Sequence, residues 1–130
     1  MNILVTGGYG FIGSYLIKQL VKNKKNKIIN IDKITSTSIP LALNNLKSKN
    51  YEFLKLDICD YKKLKEKIFF LKPNIVFHLA AESHVDTSIV NPKKFIETNV
   101  IGTFNLLNIF KELNETKKYK NVKFIHVSTD

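Results

Sequence analysis

The chain has 130 residues, 44% of them hydrophobic and 25% charged, with 5 glycines and 3 prolines; this excludes collagen-like, low-complexity and disordered chains and suits a single core. The formal net charge of +10 rests on 21 basic residues, all lysine; without arginine forks for phosphates and base edges, the lysine runs at 22–27, 62–67 and 117–123 are expected to be solvated surface, with no nucleic-acid partner. Apolar runs of a few residues exclude a membrane-spanning helix, Met1 leads into an apolar run with no basic leader, and the lone Cys59 suits a reducing, cytoplasmic setting.

Residues 2–5 (NILV) form a first expected strand, and residues 11–21 a helix with Phe11, Ile12, Tyr15, Leu16 and Leu20 near one face. Residues 27–31 (KIINI) form a second strand. Residues 35–39 are polar and loop-like, and Pro40 can open a short helix. Residues 51–56 (YEFLKL) form a third strand. Asp60 can cap a helix running to about Phe70, with Pro73 beyond its end. Residues 74–79 (NIVFHL) form a fourth strand. Residues 92–113 carry the longest helical pattern, interrupted at Gly102. Residues 122–127 (VKFIHV) form a fifth strand. Strands that alternate with helices predict an α/β fold, a Rossmann-type doubly wound parallel sheet of order 3-2-1-4-5. The chain stops directly after strand five, so residues 1–130 are expected to be an incomplete dinucleotide-binding domain with the substrate domain absent.

The first strand runs into Thr6-Gly7-Gly8-Tyr9-Gly10-Phe11-Ile12-Gly13. Two spacings coexist: Gly8, Gly10 and Gly13 fit G-x-G-x-x-G, while Gly7, Gly10 and Gly13 fit G-x-x-G-x-x-G. Gly7 is expected to permit the turn out of the strand, Gly10 to admit a pyrophosphate, and Gly13 to allow close packing of the helix. The N–H groups of Phe11 and Ile12 open the helix toward the phosphates. Asp32 follows at the end of strand two, 19 positions after Gly13. A carboxylate there accepts from both adenosine ribose hydroxyls and repels a 2′-phosphate, which favours NAD over NADP. Lys33 is the counter-argument, since an ammonium can hold that phosphate.

Asp57 and Ile58 follow strand three near the expected adenine pocket, although Asp57 can also cap the next helix. Ala80 and Ala81 are small enough for a cofactor to lie against the backbone. His78, inside an apolar strand, is expected to be a satisfied core residue. His84 lies beyond the strand, open to substrate or solvent. No Cys/His cluster has metal-ligand spacing, so no metal is expected. Thr129 can hydrogen-bond a substrate alcohol, and Asp130 can protonate a leaving hydroxyl; a turn that caps a following helix is the alternative for this pair.

TGGYGFIGS, IDK, LDICD, HLAAESHVDTSI, FIETNVIGTFNLL and VSTD occur in this order. Together they resemble the amino-terminal part of the extended short-chain dehydrogenase/reductases, and among these the dTDP-glucose 4,6-dehydratase family. The resemblance covers nearly the whole chain. It implies that Phe11 and Ile12 meet the NAD pyrophosphate, and that Asp32, Lys33, Ile34 and Thr35 hold the ribose. Asp57 and Ile58 would hold the adenine, and Leu79, Ala80, Ala81, Glu82 and Ser83 would line the cofactor, with Ser83 also near the sugar. Thr98 would contact NAD, Thr129 would bind the sugar, and Asp130 would be the acid for the C6 hydroxyl. The implied reaction converts dTDP-glucose to its 4-dehydro-6-deoxy product by hydride transfer to and from NAD, in deoxysugar and surface-polysaccharide synthesis.

The sequence departs from the family motif at Thr87, where arginine is usual, and in the loop 36–40. The base and the Tyr-x-x-x-Lys pair of the family have no counterpart in these residues, so the chain alone is expected to be inactive. The stripe Val100, Phe104, Leu107 and Phe110 is either core or the family's homodimer face. A nucleotide-sugar epimerase or decarboxylase, or a non-catalytic dinucleotide-binding module, are the alternatives.

Overall fold

A computed structural model describes residues 1–116 and 121–128. Five parallel strands form one sheet: β1 (Asn2–Thr6), β2 (Lys27–Asp32), β3 (Tyr51–Lys55), β4 (Ile75–His78) and β5 (Lys123–His126), in the order β3-β2-β1-β4-β5. This is the expected order. The reversal between β1 and β4 opens a crevice at the strands' carboxyl ends. β1 pairs with both neighbours, Thr6 opposite Ile31 on one side and His78 on the other. A strand covered on both faces needs apolar residues at successive positions, and Ile3, Leu4 and Val5 are all buried.

The sheet's two faces sort by the two-residue period of a strand. Leu4, Ile29, Ile31 and Val76 pack against Leu64, Ile68 and Leu71 of α3 (Tyr61–Leu71) and Leu106, Ile109 and Leu113 of α6 (Thr103–Glu115). Ile3, Val5 and Ile28 pack on the other face against Ile17 of α1 (Phe11–Leu20), Val21 and Leu43 of the short α2 (Leu41–Asn44).

Asp60 caps α3 as expected, its carboxylate accepting from the Lys63 N–H at 3.2 Å. α3 ends at Lys72, which adopts the left-handed region (φ 46°, ψ 64°).

Three helices differ from expectation. The face that α1 buries carries Gly13, Ser14 and Ile17, whereas Phe11, Ile12 and Tyr15 are exposed. Close packing at the glycine turn selects small residues there and rotates the large ones outward. A helix α4 (Val85–Val90) was not anticipated; its apolar residues Val85, Ile89 and Val90 are exposed, so it has no buried stripe to read. The long helical pattern divides into α5 (Pro92–Phe95), a π-helical segment (Ile96–Gly102) and α6. Gly102 does not end the helix: it lets the π segment close on Ile58, whose Cδ1 would lie 2.5 Å from an added Cβ. Of the expected stripe, Phe110 is core, while Val100, Phe104 and Leu107 are exposed.

Candidate functional site

A cleft opens where β1, β2, β3 and β4 end. Its lining combines Gly7 and Gly10, residues 31–33 with Thr35, Thr37 and Ser38, residues 56–58, residues 79–82, and Thr98. The structure thus brings together Gly7, Gly10, Asp32, Lys33, Thr35, Asp57, Ile58, Leu79, Ala80, Ala81, Glu82 and Thr98 from five separate stretches of sequence. Gly13 lies beneath the turn. Phe11 and Ile12, the first residues of α1, turn their side chains to solvent and are not part of the lining. Ile34 stands on the rim, and Ser83 and His84 are exposed outside the lining. Thr129 and Asp130 lie outside the described residues.

Gly7 makes the turn, with φ +75° and a backbone so close to β4 that a Cβ would lie 2.6 Å from the Ala80 nitrogen. Of the two glycine spacings, the one that starts at Gly7 therefore governs the turn. The Gly7 carbonyl accepts from the Gly10 N–H at 3.0 Å. A Cβ on Gly13 would fall on that same carbonyl and 2.8 Å from Gly8 Cα. The Ser14 N–H donates to the Gly10 carbonyl at 2.9 Å; the N–H groups ahead of it in the first turn of α1 are those a helix start leaves without an intrahelical acceptor.

Asn30 was missed in the sequence, where it looked like one polar residue in an apolar strand. It is fully buried; its Oδ1 accepts from the Gly8 N–H at 3.1 Å and its Nδ2 donates to Tyr51 Oη at 3.1 Å. A buried amide must find such partners, and these two fix the glycine turn to β2. Burial pushes the Tyr51 hydroxyl up to about 12, so it remains a neutral partner.

Asp32 also faces the turn. Its Oδ2 accepts from the Tyr9 N–H at 2.9 Å and its Oδ1 from the Ile34 N–H at 2.8 Å. Each carboxylate oxygen has a second lone pair for a donor in the cleft. Thr37 and Ser38, in the polar stretch 35–39, also line the cleft. The Ser38 hydroxyl accepts from the Thr35 N–H at 2.8 Å, the Thr35 and Thr37 hydroxyls share a 2.9 Å hydrogen bond, and the Ile39 N–H donates to the Tyr9 carbonyl at 2.7 Å. The run of hydroxyl residues at 35–38 was the available signal.

Across the cleft, Lys33 donates to Thr98 Oγ1 at 3.0 Å and lies 3.4 Å from Glu82 Oε1 and 3.8 Å from Asp57 Oδ2. Asp57 accepts from the Cys59 N–H at 2.9 Å and does not cap α3, the role that Asp60 fills. Glu82 is buried and also pairs with Lys94 at 3.1 Å. The Cys59 thiol, held by burial first and Asp57 second, is pushed up to about 11.

His78 is a satisfied core residue, as expected. It has no exposed surface, and its Nδ1 and Nε2 share hydrogen bonds of 2.6 and 2.9 Å with the Thr6 and Thr103 hydroxyls. Burial, then the stacked His126, lowers it to about 4. Among the described residues no cluster of His, Cys, Asp or Glu is placed to hold a metal ion, and no helix is long and apolar enough to cross a membrane.

Residues 4–130 match the family described as GDP-mannose 4,6 dehydratase. A dTDP-glucose 4,6-dehydratase of Salmonella typhimurium is 44% identical over all of this chain and 37% of its own length; one from Haemophilus influenzae is 44% identical over all of this chain and 40% of its own. The chain thus spans about two fifths of these curated relatives. Among solved structures, dTDP-glucose 4,6-dehydratase from Bacillus anthracis in complex with NAD superposes at a TM-score of 0.81, with 35% identity over 99% of this chain and 37% of that one. The UDP-glucose 4-epimerase of Thermotoga maritima gives a TM-score of 0.81 and 36% identity over 99% of this chain and 38% of its own. The match across nearly the whole sequence, on a sheet whose crevice carries the glycine turn and Asp32, shows that the chain belongs to the GDP-mannose 4,6 dehydratase family.

Proposed function

We propose that the chain is the NAD-binding portion of a nucleotide-sugar 4,6-dehydratase whose substrate is dTDP-glucose. The observation that carries the reading is the pairing of the Gly7 turn with Asp32, a carboxylate with two free lone-pair directions at the cleft. The residues fit a dinucleotide. The backbone N–H groups of Phe11 and Ile12 would hold the pyrophosphate, Asp32 with the backbone of Lys33, Ile34 and Thr35 the adenosine ribose, and Asp57 and Ile58 the adenine. Leu79, Ala80, Ala81, Glu82, Ser83 and Thr98 would shape the remaining wall.

When bound, NAD supplies a hydride acceptor that is restored within each turnover. This chain's residues orient it and exclude water. Thr129 would hold the sugar and Asp130 would give a proton to the departing C6 hydroxyl; both roles rest on the sequence. The relatives' share of matched length supports assigning turnover to the larger protein and binding to these residues. Val100, Phe104 and Leu107 stand exposed on one helical surface, which supports a homodimer of the whole protein. NAD and sugar nucleotides are cytoplasmic metabolites, which supports a cytoplasmic location.

Calorimetric titration of the chain with NAD tests the reading. Binding that weakens at least about tenfold in Asp32→Ala is expected, the equivalent of one charge-assisted hydrogen bond. A folded chain that takes up no NAD refutes it. A 4-epimerase is the second reading, supported by the likeness to the Thermotoga maritima enzyme; formation of a 4-keto product from dTDP-glucose by the full protein separates the two.

A further inference from the structure

Lys33 directly follows the carboxylate that favours a dinucleotide without a 2′-phosphate. An ammonium at this place would ordinarily attract that phosphate and work against Asp32. The two side chains diverge instead. Asp32 turns to the glycine loop, accepting from the Tyr9 and Ile34 N–H groups. Lys33 crosses the cleft to Thr98 Oγ1 at 3.0 Å, Glu82 Oε1 at 3.4 Å and Asp57 Oδ2 at 3.8 Å. An ammonium has three donors, and three oxygens from three separate segments surround this one.

Glu82 is the centre of the group. Its side chain is 7% exposed, and a second ammonium, that of Lys94, lies 3.1 Å from the same oxygen. Its backbone is fixed at both ends of the peptide: the Glu82 N–H donates to Asn99 Oδ1 at 2.8 Å, and Asn99 Nδ2 donates to the Glu82 carbonyl at 3.0 Å. The carboxylate therefore hangs from a fixed backbone and is held in place by its two ammonium partners.

We propose that Glu82 determines cofactor specificity by holding Lys33, together with Thr98 and Asp57, away from the adenosine ribose. This rests on the NAD-binding reading and names the residue that sets its selectivity. To meet a 2′-phosphate, Lys33 has to leave a buried carboxylate with one partner instead of two, and lost pairing in a buried site offsets the bond gained. Repulsion between Asp32 and the phosphate then acts unopposed.

The test is calorimetric titration of the chain with NAD and with NADP, in the native form, Glu82→Gln, Lys33→Met and the double variant. Glutamine keeps the shape of Glu82 and removes its charge. The affinity ratio is expected to shift toward NADP by about tenfold in Glu82→Gln, the worth of one charge-assisted hydrogen bond. Adding Lys33→Met is expected to abolish that shift, whereas Lys33→Met alone changes both affinities alike and leaves the ratio within about twofold of native. An unmoved ratio in folded Glu82→Gln overturns the proposal, as does a selective loss of NADP binding in Lys33→Met alone. If circular dichroism shows Glu82→Gln unfolded, the Lys33→Met ratio decides. A native chain that binds neither dinucleotide refutes the NAD reading itself; NAD binding without the expected shift refutes only the role of Glu82.

Discussion

Acidification singles out His78. The residue has no exposed surface and stays neutral between two threonine hydroxyls; burial and, less strongly, His126 lower its pKa from 6.5 to about 4. The unfolded chain therefore binds a proton on this ring more readily than the folded one. Above about pH 6.5 both states are neutral and His78 adds no pH dependence. As the pH falls from there to about 4, stability is lost, and below that the loss is constant. With each pH unit worth about 1.4 kcal/mol, the loss is about 2.5 kcal/mol near pH 4.5 and about 3.5 kcal/mol at its limit. Urea unfolding of the native chain and His78→Gln, between about pH 7 and about pH 4.5, measures it. Glutamine offers a donor and an acceptor to the two hydroxyls and does not titrate. The carboxylates contribute the same slope to both proteins, so their difference isolates the ring. The native chain is expected to be the more stable near neutrality and the variant the more stable in acid. Stability curves that run parallel across the window refute the reasoning.

Gly13→Ala places a methyl group on the Gly7 carbonyl and 2.8 Å from Gly8 Cα; backbone yields little, so a loss of about 1–3 kcal/mol and a fall in Tm of about 5–10 °C are expected by scanning calorimetry. NAD affinity falls with it, because the N–H groups that open α1 move with the turn. In Gly102→Ala the new methyl group meets Ile58 Cδ1 at 2.5 Å and Cγ1 at 2.6 Å. A loss of similar size, about 1–3 kcal/mol, is expected. Denaturant unfolding of Gly102→Ala, Ile58→Ala and the double variant checks the contact: the double variant should be more stable than the summed single effects allow. The Cys59 thiol, raised from 9.0 to about 11, should react with a disulfide reagent near neutral pH about a hundredfold more slowly in the folded chain than in the unfolded one. Equal rates would show that its burial does not suppress the thiolate.

Sheet order and the cleft were legible because they depend on local signals: apolar runs of strand length, a glycine turn between strand and helix, and an acid at the end of β2. The buried face of α1 was not. Apolar periodicity weighs large residues, and Phe11, Ile12 and Tyr15 dominate it, whereas contact with the glycine turn is decided by smallness at Gly13 and Ser14. α4 gave no signal because its apolar residues face solvent. For the acids after β3, the sequence offered both Asp57 and Asp60 as caps. Only the approach of the Lys63 N–H to Asp60 and of the Lys33 ammonium to Asp57 separates them. The destination of Lys33 depends on residues 57, 82 and 98, which the sequence keeps apart and the sheet assembles. Asn30 illustrates the same limit: a polar residue in a buried strand announces that it needs partners, but not that they are Gly8 and Tyr51.

The left-handed turn at Lys72 closes α3 with a residue that resists this conformation, since its Cβ crowds the neighbouring carbonyl. Glycine would adopt it freely, and relief of about 1 kcal/mol is what that geometry leaves unused. The position lies at the opposite end of the sheet from the crevice, after a helix and before β4. A tighter, more heat-resistant molecule is thus one substitution away, at a corner remote from every residue that lines the crevice.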